Sequence, residues 1–499
     1  MEFLVSAADM IFTLPAVLAI VGGTLLGVAI GVLPGLGPAV GVSLALPLTL
    51  GLDQVPAIAM LLGIYAGSIY GGSVTAILIN TPGTPASAAS CLDGYPMTLR
   101  GEAGRALGIA AVASVFGGLF SVAILAMFAP RLAAWALNFG PAEMLALAVF
   151  ALTCIAAVSQ GSMIKGLMGG VIGLFISVIG QDTFTGQVRY DFGIFELSAG
   201  LSLVPVLVGL FALSEVFTRL GGGYGAITTA TAAGFKMPSF GEFRRLTPTF
   251  LKGGVIGTIL GILPGIGPTA ASFVSYAEAR RASKQPETFG KGSPQGLSAS
   301  ESANNAVTGA ALVPTLALGV PGDPITAILL GALVIKDIVP GPRLFLQHAD
   351  TVAALYIVLI VINLLILPIA AGFSGVWRRI LALPEALLMA MVVVLVTVGI
   401  YTLNNSVLDL VTTFVAGVVG YLLRRAGFPL APIIIGFVLG GMVEENLRMG
   451  MIVFEGDWTE FFTHPISAVL FALSVILLAR PLYSGLGQRL LSARKASRG

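Results

Sequence analysis

Leu33-Pro34-Gly35-Leu36-Gly37-Pro38 recurs 230 residues later as Leu263-Pro264-Gly265-Ile266-Gly267-Pro268, each copy closing a Gly-rich apolar run. Proline and glycine together interrupt a helix, and in a bilayer the freed N–H and C=O groups find no partner in lipid. Such a break persists only where it is buried in protein or lines a wet cavity. A second pair, Asn80-Thr81-Pro82-Gly83-Thr84-Pro85 and Gly319-Val320-Pro321-Gly322-Asp323-Pro324, lies 239 residues apart. Motifs in one order with a slowly drifting offset indicate an internal duplication. Pro141 and Glu143 can be set loosely against Pro384 and Glu385.

The surrounding composition makes membrane depth the right setting. Of 499 residues, 56% are hydrophobic and only 10% charged, with a mean hydropathy of +0.97. A soluble domain carries roughly one-quarter charged residues, so a soluble reading is excluded. A span needs about 20 apolar residues, which leaves little chain for outside domains. The balance of 26 Lys+Arg against 24 Asp+Glu offers no basic stripe, so nucleic-acid binding is unsupported. Cys91 and Cys154 have no CxxC partner or His cluster and read as small packed hydrophobes. Met1–Met10 carries Glu2 and Asp9 but no Lys or Arg, which is wrong for a cleavable signal and predicts retention.

Ordinary apolar spans are expected near 105–130, 142–160, 163–180, 197–220, 351–372, 384–402, 406–423, 429–442 and 465–482. Lys236, Arg244, Arg245 and Lys252 place the central loop inside, and Arg280, Arg281, Lys284 and Lys291 bring the segment after the second LPG break to the same side. That segment then enters and leaves from one face, as a re-entrant hairpin does. Arg378 with Arg379, Arg424 with Arg425, and the tail with Arg489, Arg494, Lys495 and Arg498 also fall inside. Counting back places Arg100 and Arg105 inside and the first hairpin outside, with five crossings between hairpins. The halves are therefore expected to be inverted.

The expected fold is an all-α polytopic membrane protein of two inverted repeats, 1–235 and 236–499. Each has a re-entrant hairpin (15–50, 248–280), a broken helix (56–98, 300–345) and scaffold helices (105–220, 351–482), about eleven crossings plus two hairpins in total. Residues 15–33 can alternatively be read as a full span. The N-terminus is expected outside and the C-terminus inside.

Paired broken helices mark secondary transporters, whose substrate sits where the breaks converge. Half-helix N-termini suit a carboxylate, and unwound carbonyls suit a hard cation. The substrate-binding candidates are Pro34, Gly35, Gly37, Ser73, Asn80, Thr81, Gly83, Thr84, Gly265, Gly267, Thr269, Asn304 and Gly322; Tyr70, Thr75 and Ser302 lie nearby. Asn305, Asp323 and Glu301 are the coupling-ion candidates, for Na⁺ or H⁺. The bland reading of the hydroxyls is helix–helix hydrogen bonding, and Glu301 can equally be a proton carrier or the charged start of a helix. Arginines fall at segment ends, so no mid-membrane arginine is expected to clamp an anion. His348 and His464 read as interfacial residues. The sequence contains no GxSxG, HExxH, P-loop or dinucleotide-binding GxGxxG, which disfavours an enzyme and leaves transport to an ion gradient or a separate motor.

Gly31-Val-Leu-Pro-Gly-Leu-Gly-Pro38, Tyr70-Gly-Gly-Ser73, Asn80-Thr-Pro-Gly83, Asp93-Gly-Tyr-Pro96, Gly101-Glu-Ala-Gly-Arg105, Leu263–Pro268, Glu301-Ser-Ala-Asn-Asn305 and Gly319-Val-Pro-Gly322 together resemble the large, TctA-like permease subunit of tripartite tricarboxylate transporters. The resemblance implies a bacterial inner-membrane permease that works with a small membrane subunit of about four helices and a periplasmic substrate-binding protein. Its implied cargo is a small di- or tricarboxylate. No cofactor is implied. Asp323 departs from the small polar residue expected after the second PG, adding negative charge near an anion site unless it holds the coupling cation. A stand-alone channel or exporter of organic anions is the competing reading, and an intramembrane enzyme the third.

Overall fold

The computed structural model describes residues 2–158, 162–222, 234–372 and 384–479. The topology markers Arg378, Arg379, Arg489, Arg494, Lys495 and Arg498 lie outside these residues. Apart from a two-stranded hairpin pairing Gly180–Gln181 with Val188–Arg189, the described fold is helical. Eight of its helices are long and apolar enough to cross a bilayer, and it is a multi-pass membrane protein. The expected spans recur as helices with shifted ends. The segment near 197–220 starts later, at Leu203, because Phe195–Ala199 is a 3-10 turn, and the one near 429–442 runs on through Leu430–Val453.

One bundle gathers the interrupted segments. Leu14–Val32 packs against Gln54–Ile79, Phe240–Ile262 against Pro294–Ala310, and Ala103–Ala136 and Ala349–Gly372 close around them. Small residues make these approaches possible. A Cβ on Gly23, Gly27 or Gly31 would strike the backbone of Met60, Gly63 or Ser68, and one on Gly253, Gly257 or Gly261 would strike Ser302, Ala303 or Ala310. Helices in lipid gain by such close packing, since apolar side chains are no better off against each other than against lipid tails.

A second bundle holds Pro141–Val158, Met163–Ser177, Leu203–Gly222 with a π turn at Gly209–Leu213, Val407–Arg425 and Leu430–Val453. Gly37–Ala45 and Pro324–Ile335, the helices that follow two of the breaks, reach across to it.

The four breaks share a backbone grammar. Leu33 and Leu263 leave their helices in extended conformation, and Gly35 and Gly265 follow at φ +85° and +86°, a region that side chains rarely enter. Asn80 and Gly319 each cap a helix in the left-handed conformation, at φ 54° and 70°. The Gly35 N–H donates to the Gly83 carbonyl at 3.2 Å, and the Gly265 N–H to the Gly322 carbonyl at 2.7 Å. Each LPG turn is thus satisfied by the PG turn of its own half. This answers the demand that lipid leaves unmet.

Candidate functional site

Between the two bundles lies an open cavity of about 910 Å³. Its walls bring together Gly35–Pro38, Thr84–Ala86, Gly265–Thr269 and Pro324–Ile325, so segments from all four breaks face one space. The second bundle contributes Ile155, Phe211, Glu215, Arg424 and Phe428. The helices Gly37–Ala45, Gly267–Ala282 and Pro324–Ile335 all begin at this cavity. Gly37–Ala45 and Gly267–Ala282 have no side-chain cap, so their first-turn N–H groups and partial positive charge favour an anion there, whereas Asp323 caps the third.

Two arginines belong to this site, contrary to the expectation from their places at segment ends. Glu215 accepts from Arg219 Nε at 2.9 Å and from Arg424 Nη1 at 2.5 Å. Arg219 also donates through Nη2 to the Pro34 carbonyl, and a Cβ on Gly35 would collide with its guanidinium. Glycine is required at 35 by this approach as well as by its φ. Two guanidiniums thus share the Glu215 carboxylate at the edge of the cavity. The sequence signal available was the Glu215/Arg219 spacing of one helical turn.

Of the substrate candidates, Gly35, Gly37, Thr84, Gly265, Gly267 and Thr269 line the cavity. Pro34 meets Arg219 through its carbonyl. Gly83 and Gly322 stand behind it, fixing the LPG turns, and Asn80 and Thr81 are exposed at a helix end, where asparagine tolerates the left-handed turn.

Ser73, Asn304, Asn305 and Glu301 form a separate cluster, all with no solvent exposure. Glu301 accepts from the Ser90 hydroxyl and, at 3.2 Å, from Ser114; the Ser73 hydroxyl faces the same carboxylate. Asn305 Nδ2 donates to Ser114 Oγ at 2.9 Å, to the Glu301 carbonyl at 3.2 Å and to Asn304 Oδ1 at 2.7 Å. Asn305 Oδ1 has no partner among the described residues. A buried carboxylate held only by uncharged groups, next to an orphaned amide oxygen, is an oxygen-rich pocket short of positive charge. Asn304 Nδ2 donates to the Ala86 carbonyl at 3.4 Å, and Ala86 lines the cavity. The cluster and the cavity therefore share a wall. Ser90 and Ser114 were missed in the sequence because only the fold brings them to Glu301.

Asp323 keeps different company. It caps Pro324–Ile335, accepting from the Thr326 N–H at 2.7 Å, and its second oxygen accepts from the Tyr65 hydroxyl at 2.5 Å. Each of its carboxylate oxygens thus accepts a hydrogen bond from the protein.

Residues 17–435 match the model of the tripartite tricarboxylate transporter TctA family. The chain belongs to that family. It is accordingly a transmembrane component of a transporter that works with other components, and not an enzyme. Two relatives come from Agrobacterium vitis. An uncharacterized 52.8 kDa protein in the TAR-I ttuC' 3' region is 40% identical over 91% of this chain and 90% of its own length. An uncharacterized protein in the TAR-II ttuC' 3' region is 37% identical over 44% of this chain and 91% of its own length. No solved structure matches the chain. Every residue of the cavity and of the Glu301 cluster falls within the stretch matched by the TctA family model.

Proposed function

We propose that this TctA-family chain imports a small di- or tricarboxylate through the cavity between its two bundles, driven by a cation gradient. The single observation that carries the reading is the convergence of four helix breaks on one space lined by Arg424, with Arg219 bound to the Pro34 carbonyl at the first break. Helix ends and guanidiniums supply the positive potential that carboxylates require. The Glu301, Asn304 and Asn305 cluster takes the coupling ion, either Na⁺ held by amide, hydroxyl and carboxylate oxygens or H⁺ on Glu301. Its bond to Ala86 couples ion occupancy to the cavity wall.

Transport proceeds by alternating access, the bundle of broken helices moving against the other. The two halves are inverted repeats of one ancestral unit. Matching backbone turns at offsets of 230 and 239 residues support this, as do the matching small-residue faces at Gly23, Gly27, Gly31 and Gly253, Gly257, Gly261. The chain resides in a bacterial inner membrane, N-terminus periplasmic and C-terminus cytoplasmic. A small membrane subunit and a periplasmic binding protein that delivers the substrate complete the system.

Uptake into proteoliposomes, with and without the cognate binding protein and under imposed Na⁺ or H⁺ gradients, tests the proposal. Accumulation is expected only with both the binding protein and one of the gradients. Equal flux without either would instead identify a stand-alone channel or exporter.

A further inference from the structure

Away from the central cavity, the loop 283–293 and the ends of the helices around it enclose two adjoining hollows of about 450 and 810 Å³. They share Arg245, Gln285 and Gln295, and none of their lining residues belongs to the central cavity. Six basic side chains line them against three acidic ones. The acids are partly spent. Glu102 binds Arg105 at 3.1 Å, and Glu278 binds Arg281, which is not in the lining, at 2.8 Å. Among the described residues Arg245, Lys252, Lys284 and Lys291 have no ion pair and, of the acids, only Glu287 has none, so a net positive charge is left in the recess.

The wall is also fixed in shape. Asp93 Oδ1 accepts from the N–H groups of Gly290, Gly292 and Ser293 at 2.9, 2.8 and 2.7 Å. Arg100 grips the Lys291 and Gly292 carbonyls at 2.9 and 2.7 Å. Ordering of a lysine-bearing loop through five hydrogen bonds by two residues from the other half of the chain, Asp93 and Arg100, is more than solvation of a charged face requires. A preorganised cation-lined recess binds an anion without first meeting the cost of assembling its donors.

We infer that this double recess is a second anion site, for a multivalent oxyanion bridging Arg245 to Lys284 and Lys291. Phosphate is the representative chemistry, either free in solution or on the headgroup of an acidic lipid. The Lys/Arg-rich face of a membrane protein meets both, and basic pockets between helices on that side take anionic headgroups.

The test uses the full chain purified in a neutral detergent. Thermal unfolding is followed with inorganic phosphate, with phosphatidylglycerol micelles and with phosphatidylcholine micelles, at matched ionic strength. Stabilisation by phosphate, by phosphatidylglycerol or by both supports the site and names its source; no stabilisation by either overturns it. In Arg245→Gln/Lys284→Gln the half-saturating concentration is expected to rise at least tenfold, and an unchanged value also overturns the site. Both substitutions are at exposed side chains, and Lys291→Gln provides an independent check with a smaller expected shift. Asn305→Ala keeps the response whether or not it impairs uptake, which separates this inference from the proposed ion coupling.

Discussion

The Tyr65 hydroxyl donates to the Asp323 carboxylate at 2.5 Å, joining the helix Gln54–Ile79 to a break 258 residues away. The reciprocal bond runs from Asn304 to the Ala86 carbonyl. Tyr65 and Asn304 are themselves 239 residues apart, the offset of the PG breaks. Each half thus braces the break of the other, once with a phenol on a carboxylate and once with an amide on a carbonyl. Only the second half carries acid and amides together, because positions 62 and 66, which correspond to Glu301 and Asn305, are Leu62 and Ala66.

Tyr65→Phe is expected to destabilise the protein by about 1–3 kcal/mol, the cost of leaving a buried acceptor without its donor. Thermal unfolding in detergent measures it. A melting temperature equal to the parent's would show that Asp323 does not depend on Tyr65.

Gly265→Ala should be worse than Gly267→Ala. Both residues have positive φ, which costs an alanine roughly 1–2 kcal/mol, but a Cβ at 265 would also run into Ile155, whereas the space at 267 is open. Stability and uptake of the two variants should fall in that order; the reverse order would contradict the packing of the second LPG turn.

Asn305→Ala and Glu301→Gln are expected to raise the half-saturating concentration of the coupling ion and, by linkage, that of the substrate. If the cluster only joins helices, the loss is in stability, about 0.6 kcal/mol per bond, and ion dependence stays normal. Initial uptake rates against ion concentration separate the two, and an unaltered ion curve in both variants places the ion elsewhere.

Arg424→Gln should raise the half-saturating substrate concentration at least fivefold. Arg425 provides the control, since it faces outward onto the Tyr421 hydroxyl at 3.2 Å. Arg425→Gln is expected to leave substrate affinity intact, so equal effects from the two would remove Arg424 from the anion site.

Cysteines placed at Lys284 and Trp458 should be labelled by an impermeant reagent from opposite sides of the membrane. Position 458 should react from outside in intact cells. Arg189 binds Glu444 at 2.7 Å and Arg448 binds Asp182 at 2.8 Å, so the hairpin Gly180–Arg189 and the end of Leu430–Val453 share a face. Labelling of both positions from one side would break the alternation of spans on which the inversion rests.

By itself the sequence determined the membrane setting, the four helix breaks and their order, because hydropathy and the Pro/Gly punctuation act on the backbone within a few residues. The LPG and PG motifs foretold the turns at Gly35, Asn80, Gly265 and Gly319 since those conformations depend on the residue that adopts them. Partners were another matter. That Gly35 answers Gly83, that Ser90 and Ser114 reach Glu301, that Tyr65 binds Asp323, that Arg219 sits at the first break and that Arg424 lines the cavity were decided by the tertiary structure alone. Arginines at segment ends read as topology markers until packing carries them over a neighbouring element. A contact between side chains 200 residues apart leaves no local pattern, and its existence depends on how closely the glycine-faced helices approach and on which break each bundle presents to the cavity.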